Sequence, residues 1–374
     1  MSDALPLWEG DLNALRNEEL DRLLMWCAES EASRIQIQTG CPIAVRIHGR
    51  NHEITRREVS DTIVREAIAK MYRDQSVLSR LASAEAIDIA YTLWPNRKGR
   101  RYPFRINGIA TTIGGNDGIG ITIRPLADIP RSVEEQGVEP ALLEAFEGDK
   151  GAFMVCGPTG SGKTTLMGGI TRRRLEDPDC HCNIVEGSSP TELLFDRVRK
   201  VNATIMQTEI PRKMASFDEF IRAAMRQEPT DINVTEIRDP PTMVAGVDAG
   251  NTGHRLMASM HTNDPADTIR RASALCPADQ RDSLTMGFVE NLRLLVNQRL
   301  LPSRDGKRTA IRAFLPITRS IRNTLLDSPR DRWPGLIRDL TDTQGQSFTT
   351  AIRAALAQGR ITETVAGMAL REET

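Results

Sequence analysis

Apolar residues recur with two different periods in the first third of the chain. Over residues 12–27 they fall at helical spacing between polar residues, which predicts an amphipathic helix. The stretches RIQIQTG (34–40) and IAVRIHG (43–49) alternate apolar and polar residues, which predicts half-buried strands. A helix over residues 59–72 and further strands in AIDIAY, PFRINGIA and GIGITIR complete the pattern. We therefore predict an α+β domain over residues 1–127, with helices on one side of a mostly antiparallel sheet.

The second half of the chain has a different pattern. Residues 128–138 belong to a segment rich in proline and charge that has no sustained period, and we predict a linker there. Short apolar runs follow at GAFMVC, NIVE, INVTE and RLMASM, separated by stretches with helical spacing. Such runs are typical of strands buried on both faces of a parallel sheet. The alternation predicts a doubly wound α/β domain over residues 139–374.

A phosphate-binding motif follows the first of these runs. The segment GPTGSGKT, residues 157–164, matches G-x-x-x-x-G-K-[ST] between a predicted strand and a predicted helix. Glycines let the backbone wrap a phosphate chain, so that N–H groups and the positive end of the helix face the anion. A chance glycine turn is the alternative, expected in about one chain of this length in a hundred. The predicted nucleotide-binding residues are Gly157, Thr159, Gly160, Ser161, Gly162, Lys163, Thr164 and Thr165.

The motif also predicts the cofactors, ATP and Mg²⁺. We expect Lys163 to reach the β- and γ-phosphates and the Thr164 hydroxyl to hold the metal. Gly168 and Gly169 follow in the first turns of the predicted helix, where each costs about 1 kcal/mol relative to alanine. This cost predicts close packing against a neighbouring backbone.

Hydrolysis needs, in addition, a group that positions a water molecule near the γ-phosphate. Glu236 ends INVTE and is predicted at the carboxyl edge of a central strand, beside the P-loop, although a solvated glutamate is the ordinary alternative. His261 follows RLMASM and faces the same edge, where an imidazole can contact a phosphate oxygen or the attacking water. His254 lies at the opposite end of that strand, and we interpret it as a structural histidine.

Composition and charge narrow the possible partners. The 49 basic and 50 acidic residues leave a net charge of −1, and aromatic residues make up 4% of the chain. We therefore expect no direct contact with nucleic acid, which requires a positive field and stacking surfaces. The N-terminal residues do not form a signal-peptide pattern, and no run of about 18 apolar residues occurs. We predict a cytoplasmic protein, at most peripheral to a membrane.

The six cysteines are scattered over separate predicted elements, so disulfides are not expected. Cys180, His181 and Cys182 are three metal-ligand types in a row. No second Cys/His pair follows at zinc spacing, and we interpret this stretch as a polar loop.

Four motifs, in this order and spacing, resemble those of the secretion ATPase superfamily, the motors of type II and type IV secretion and of pilus retraction. They are GPTGSGKTT, the P-x-E box at residues 190–192, the glutamate in VTEIRD, and TGHRLMASMHTN, which match the Walker A, Asp, Walker B and His boxes. The chain is most similar to the DotB/TraJ branch, which serves type IVB (Dot/Icm) secretion and IncI-type conjugation. The supporting stretches are IQTGCPIAVRIHGR, RRYPFRINGIA and QTEIPR.

The resemblance covers nearly the whole chain and implies a PAS-like N-terminal domain, a RecA-like ATPase domain and a homohexamer recruited peripherally to the inner membrane. It also implies that Arg105 and Arg124 reach bound nucleotide, because they match arginines with that role. The chain differs from the family at one carboxylate position, because the residue at that position is Ser188. Either Glu186 substitutes for it from a shifted strand, or it is missing and turnover is slow. Asn233 lies where the family has an apolar residue.

Several functions remain open at this point. The leading hypothesis is a hexameric ATPase motor that powers a membrane-embedded type IVB secretion or conjugation complex, and pilus retraction is the alternative within the superfamily. A nucleic-acid translocase on the same core is disfavoured by charge and composition. The departure at Ser188 leaves room for a nucleotide-dependent scaffold with little turnover.

Overall fold

The computed structural model describes residues 7–15, 18–47, 49–96 and 99–373. Residues 16 and 17 of the first predicted helix, and His48 of the second predicted strand, lie outside the described residues. The chain divides into two compact units: an N-terminal unit, Met1–Ile129 with Ser189–Leu194, and a C-terminal unit, Pro130–Ser188 with Phe195–Thr374. Among the described residues, none of the helices combines the length and apolar character that a membrane crossing requires.

The N-terminal unit is an α+β fold with a six-stranded antiparallel sheet. Its strands are β1 (Arg34–Gln38), β2 (Ala44–Ile47), β3 (Arg50–Glu53), β4 (Ile87–Leu93), β5 (Tyr102–Ile113) and β6 (Asn116–Pro125). A 3₁₀ turn at Leu12–Ala14 precedes the helices α1 (Glu18–Glu29), α2 (Asp61–Tyr72) and α3 (Ser76–Ala82). The strand order is β3-β2-β1-β6-β5-β4. This arrangement confirms the predicted fold class of the N-terminal part.

Apolar and polar residues alternate along the strands, and the apolar residues form the core of this unit. In β1, Ile35 and Ile37 are fully buried, while the polar residues between them are partly exposed. They join one apolar cluster with the buried face of α1, which includes Leu20 and Leu24. The single helix predicted over residues 12–27 is therefore a 3₁₀ turn and a later α-helix in its described parts.

The C-terminal unit is an α/β fold around a seven-stranded sheet of order β13-β12-β7-β11-β10-β8-β9. Its strands are β7 (Gly151–Cys156), β8 (Asn183–Ser188), β9 (Thr204–Glu209), β10 (Asp231–Val234), β11 (Arg255–Met260), β12 (Leu292–Pro302) and β13 (Arg308–Pro316). All neighbouring pairs are parallel except β12 with β13. The helices are α4 (Pro140–Ala145), α5 (Lys163–Glu176), α6 (Phe217–Ala224), α7 (Pro240–Asn251), α8 (Pro265–Leu275), α9 (Arg281–Asn291), α10 (Arg319–Leu326), α11 (Trp333–Gln344), α12 (Phe348–Ala357) and α13 (Glu363–Arg371).

Helices cover both faces of this sheet, because successive residues of the central strands point to opposite sides. In β7, Phe153 and Val155 pack in one apolar cluster with Leu166 of α5, whereas Met154 packs in another with Phe220 of α6. All six residues of β7 are buried, as are all four of β10 and all six of β11. The prediction of strands buried on both faces is confirmed.

Two glycines make these helix–sheet contacts possible. A Cβ on Gly169 of α5 would lie 3.1 Å from the backbone oxygen of Arg131, which confirms the predicted close packing at that position. A Cβ on Gly187 of β8 would lie 2.6 Å from the ring of Phe220. Neither glycine has a positive φ, so the constraint at both positions is space.

We expect Gly187→Ala to lower the free energy of unfolding of the C-terminal unit by about 1–3 kcal/mol, because the added methyl group must displace a buried aromatic ring. Urea unfolding followed by circular dichroism measures the change. Gly367→Ala in α13 is the matched control, since no atom lies within 4 Å of its Cβ position. It should raise stability by up to about 1 kcal/mol through helix propensity. Equal effects of the two substitutions would contradict the steric explanation.

Candidate functional site

The phosphate-binding motif forms a tight loop between β7 and α5. Gly157, Gly160 and Gly162 all have positive φ values, 146°, 77° and 86°, in which side chains are strained. A Cβ on Gly157 would also lie 2.3 Å from the backbone oxygen of Gln298. No side chain caps the start of α5 at Lys163, so the N–H groups of its first turn have no side-chain acceptor. The loop therefore presents backbone donors and the positive end of a helix.

The ammonium group of Lys163 lies inside this loop. Its Nζ donates to the backbone oxygens of Gly157 at 2.8 Å and Pro158 at 3.1 Å. It also contacts Nδ1 of His261 at 3.3 Å. Burial lowers the pKa of Lys163, while the nearby thiol of Cys156 and the carboxylate of Glu236 act in the opposite direction. Phosphate oxygens would be stronger acceptors for this ammonium than the two carbonyl groups.

Glu236 and His261 lie together at the carboxyl edge of the sheet. Glu236 comes two residues after β10 and His261 directly after β11, and the two strands are parallel neighbours in register. The Oε1 of Glu236 is 3.3 Å from Nε2 of His261. Since the Lys163 ammonium can only donate, Nδ1 of His261 must accept, which assigns the proton of a neutral ring to Nε2. The imidazole thus connects the buried lysine to the carboxylate of Glu236, and the imidazole and the carboxylate are both partly exposed to solvent.

Two further observations indicate that the loop fits a nucleotide. The hydroxyl oxygen of Ser161 is buried and has no hydrogen-bond partner among the described residues, so it lacks an acceptor that a phosphate oxygen would provide. Thr164 and Thr165 follow Lys163 in the first turn of α5 and remain partly exposed. Thr164 is therefore placed where its hydroxyl would be available to Mg²⁺.

Glu186 does not lie with Glu236 and His261. It is in register with Asn233 of β10, which precedes Glu236 by three positions, or about 10 Å along a strand. Its side chain is buried, and its Oε1 accepts a hydrogen bond of 2.8 Å from Gln207 of β9. This placement gives no support to Glu186 as a substitute for the carboxylate expected at Ser188, the last residue of β8.

Glu186 belongs instead to a buried polar cluster. The amide nitrogen of Asn233 donates to Thr171 of α5 at 3.0 Å, while its amide oxygen is buried and has no donor among the described residues. The Asn233 side chain also hydrogen-bonds to the carboxyl group of Glu186, an interaction that favours the charged form. Burial raises the pKa of Glu186 to about 7, against the opposing effect of hydrogen bonds from Gln207 and Asn233.

The two arginines for which the family resemblance implies contact with nucleotide are cross-strand neighbours in the N-terminal unit. Arg105 of β5 lies opposite Arg124 of β6, so both side chains are on the same face of the sheet. Arg105 forms ion pairs with Asp88 at 2.6 Å and with Glu192, of the Ser189–Leu194 segment, at 2.6 Å. Hydrogen bonding to Asp88 raises the pKa of Arg105 despite partial burial. Arg124 is exposed.

Residues outside the sequence motifs hold the phosphate-binding loop in place from strands β12 and β13. The amide nitrogen of Gln298 in β12 donates to the backbone oxygen of Ser161 at 2.7 Å. Arg312 of β13 donates to the amide oxygen of Gln298 at 2.7 Å and forms a 2.9 Å ion pair with Glu139. Only the position of an arginine within the apolar run AIRAFLP signals this role in the sequence. His254, by contrast, contacts the hydroxyl of Thr252 at 2.9 Å, as expected for a structural histidine.

Comparison with known proteins identifies the family. The sequence model of one family, described as "Type II/IV secretion system protein", matches residues 13–331. The chain belongs to this family. Its structure is similar to that of the ATPase DotB of Legionella pneumophila, with 32% identity, a TM-score of 0.82 and coverage of 94% of this chain and 95% of that chain. The pilus retraction motor PilT, solved with bound ADP, is 26% identical with a TM-score of 0.75, covering 93% and 96%.

A curated relative points in the same direction. The type IV pilus retraction ATPase PilT of Pseudomonas aeruginosa is 24% identical over 343 residues, which are 92% of this chain and 95% of the relative. The chain is thus an ATP-hydrolysing enzyme of the type II/IV secretion family. The comparisons also confirm the predicted fold class, an N-terminal α+β domain followed by a RecA-like ATPase domain.

The buried carboxyl group of this secretion ATPase should make its stability depend on pH. The pKa of Glu186 is raised from 4.5 to about 7, so the folded protein holds a proton that the unfolded chain releases between these values. The stabilising contribution is complete below the lower pKa and is lost as the pH rises through the upper one. Relative to Glu186→Gln, wild type should lose up to about 3 kcal/mol of unfolding free energy over this range.

Urea unfolding of both proteins from about pH 5 to pH 8 measures this difference. Glu144→Gln is the matched control, because Glu144 is an exposed glutamate in α4. It should follow the wild-type profile. Parallel profiles of wild type and Glu186→Gln would show that Glu186 is ionised in the folded protein throughout the range.

Proposed function

We propose that this enzyme is the ATPase motor of a type IVB secretion or conjugative transfer apparatus. The observation that carries the proposal is the similarity to Legionella DotB, with higher identity and TM-score, 32% and 0.82, than the PilT structure, with 26% and 0.75. The agreement extends over 94% of the chain, so it includes both units. Enzymes of this family work with membrane-associated secretion machinery. We infer a cytoplasmic homohexamer that is recruited peripherally to the inner membrane.

The geometry at the carboxyl edge of the sheet supports a hydrolytic role for Glu236. Its partly exposed carboxylate is held by His261 and can accept a proton from a water molecule that attacks the γ-phosphate. His261 keeps this carboxylate oriented and, through Nδ1, senses the position of Lys163. Lys163 would exchange the carbonyl groups of the loop for phosphate oxygens, so binding of ATP would change its contact with the imidazole.

Three further roles belong to the proposal. Mg²⁺, held by the Thr164 hydroxyl, would supply positive charge to the β- and γ-phosphates. Arg105 and Arg124 would contact bound nucleotide, since a planar guanidinium can match phosphate oxygens in pairs. Arg105 already engages two carboxylates, Asp88 and Glu192, and phosphate would have to compete with them. Such competition would link nucleotide binding to a rearrangement of ion pairs.

A pilus retraction ATPase is the second candidate. It is favoured by the alignment with the PilT of Pseudomonas aeruginosa over 92% of this chain. The two candidates share the nucleotide chemistry and differ in the membrane complex that the motor engages. Direct transport of nucleic acid by this chain is not part of either one.

Glu236→Gln should lower kcat for ATP hydrolysis by about 10²- to 10⁴-fold, because the amide cannot accept the proton of the attacking water. ATP binding should be retained, since the loop at residues 157–164 is unchanged. Steady-state phosphate release and equilibrium binding of a fluorescent ATP analogue measure the two quantities. Glu144→Gln is again the control and should hydrolyse ATP at the wild-type rate. Wild-type turnover no faster than that of Glu236→Gln would instead favour a nucleotide-dependent scaffold.

The Glu236→Gln variant also tests the membrane partner. Because it should hold ATP without turnover, it should accumulate as a hexamer bound to its docking complex, which cross-linking in cells and mass spectrometry would identify. We expect components of a type IVB secretion or conjugation complex. Recovery of pilin-assembly components alone would assign the enzyme to pilus retraction.

Size-exclusion chromatography with light scattering tests the hexamer, and a monomer in saturating ATP would contradict it.

A further inference from the structure

Two cysteine side chains meet in the loop that joins α5 to β8. Cys180 and Cys182 are separated by one residue, and alternate residues of an extended segment point to the same side. Their Sγ atoms are 2.8 Å apart and share a hydrogen bond. Both are free thiols. The pair therefore already has the approach of two sulfurs that a disulfide requires.

The two thiols differ in access. Cys180 is partly exposed to solvent, whereas Cys182 is 5% exposed. Burial raises the pKa of Cys182, so this thiol keeps its proton. An oxidant in solution would meet Cys180 first, with Cys182 held behind it as the second reactant.

A fixed positive charge lies beside the pair. The Arg174 guanidinium, in the last turn of α5, interacts electrostatically with both sulfurs. It is held in place by a 2.9 Å ion pair with the buried Asp231. The Sγ of Cys182 also donates to the backbone oxygen of Arg174 at 3.8 Å. The cysteine pair is thus attached to the end of α5. Only the loop that joins α5 to β8 needs to adjust when the sulfurs react.

Alternative explanations of this cluster find no support. Within the described part of the chain, no three His, Cys, Asp or Glu side chains gather closely enough to hold a metal ion. Three of the remaining cysteines are buried in the two cores, namely Cys27, Cys156 and Cys276. Cys41 is partly exposed, but it makes no contact with another described cysteine. A polar loop without a role would not require two sulfurs in contact.

We propose that Cys180 and Cys182 are a site of reversible oxidation by peroxides. The Cys180 thiol releases its proton, and the thiolate attacks one oxygen of hydrogen peroxide. The O–O bond breaks, which leaves a sulfenic acid at Cys180, and the departing hydroxide takes up the released proton as one water molecule. The sulfur of Cys182 then attacks the Cys180 sulfur, the S–O bond breaks, and the proton of Cys182 leaves with the hydroxyl as a second water molecule. Two thiols are oxidised and one peroxide is reduced. A dithiol reverses the step by thiol–disulfide exchange.

Reversibility follows from the position of the bond. A disulfide across one intervening residue closes a very short loop, and strained or exposed disulfides are the ones that cells reduce readily. Such a bond would fix the connection between α5 and β8, because the backbone oxygen of Cys182 also anchors Thr204, the first residue of β9, at 2.8 Å. The nucleotide-binding loop lies at the other end of α5, so the modification does not remove any group from the site.

The test uses the full-length reduced protein treated with hydrogen peroxide, followed by alkylation and trypsin digestion. The tryptic peptide of residues 175–197 contains both cysteines and no others. We expect it to lose two hydrogen atoms, to escape alkylation, and to recover on treatment with dithiothreitol. Because the second thiol is already in contact, it should resolve the sulfenic acid as fast as that acid forms, so that little dimedone-reactive Cys180 accumulates in wild type.

Substitutions separate the two steps. In Cys182→Ser, Cys180 should accumulate as a sulfenic acid that dimedone traps, because no thiol resolves it. Cys41→Ser is the matched control and should form the disulfide as wild type does. Two results would overturn the proposal. The first is that dimedone traps Cys180 in the wild-type protein as efficiently as it traps Cys180 in Cys182→Ser. The second is that the peptide remains fully alkylated after Cys41 has been oxidised. The wild-type measurement decides the matter even if a serine variant fails to fold.

Discussion

The buried ammonium group of Lys163 is the constraint around which the site is built. A cation withdrawn from water must be surrounded by acceptors, and here it has two loop carbonyls and the Nδ1 of His261. The acceptor role fixes the imidazole proton on the side of Glu236. The charge of Lys163 therefore determines which ring nitrogen of His261 carries the proton that faces Glu236.

Parallel strand register brings these three residues together. β7, β11 and β10 are consecutive neighbours in the sheet, and their carboxyl ends meet at one edge. The loop is then held from behind by Gln298, which is itself held by the buried Arg312. Because Arg312 pairs with Glu139, the segment before α4 is tied to the phosphate-binding loop through an ion pair whose arginine is buried. Removing Glu139 would leave the buried guanidinium of Arg312 without its carboxylate partner, which is costly in the interior.

The sequence predicted those parts of the site that depend on local motifs or on topology alone. The glycine loop is contiguous, and Glu236 and His261 each follow an apolar run that had to be a parallel strand. Gln298 lies 137 positions from its partner Ser161, and no local pattern marks such a contact. The first helix was predicted too long because apolar spacing continues through a 3₁₀ turn, which the 3.6-residue period does not distinguish from an α-helix.

Glu186 and Asn233 show how two unexplained departures become one feature once register is known. Each is a polar residue in an apolar strand, and the parallel pairing of β8 with β10 places them side by side under α5. The amide nitrogen of Asn233 donates to Thr171, and the Asn233 side chain also hydrogen-bonds to the Glu186 carboxyl group. Ionisation of Glu186 would place a charge in this buried cluster, and burial penalises that charge more than the hydrogen bonds from Gln207 and Asn233 favour it. Since α5 begins at Lys163 and β10 leads to Glu236, the hydrogen bond from Asn233 to Thr171 beside Glu186 connects the two elements that carry Lys163 and Glu236.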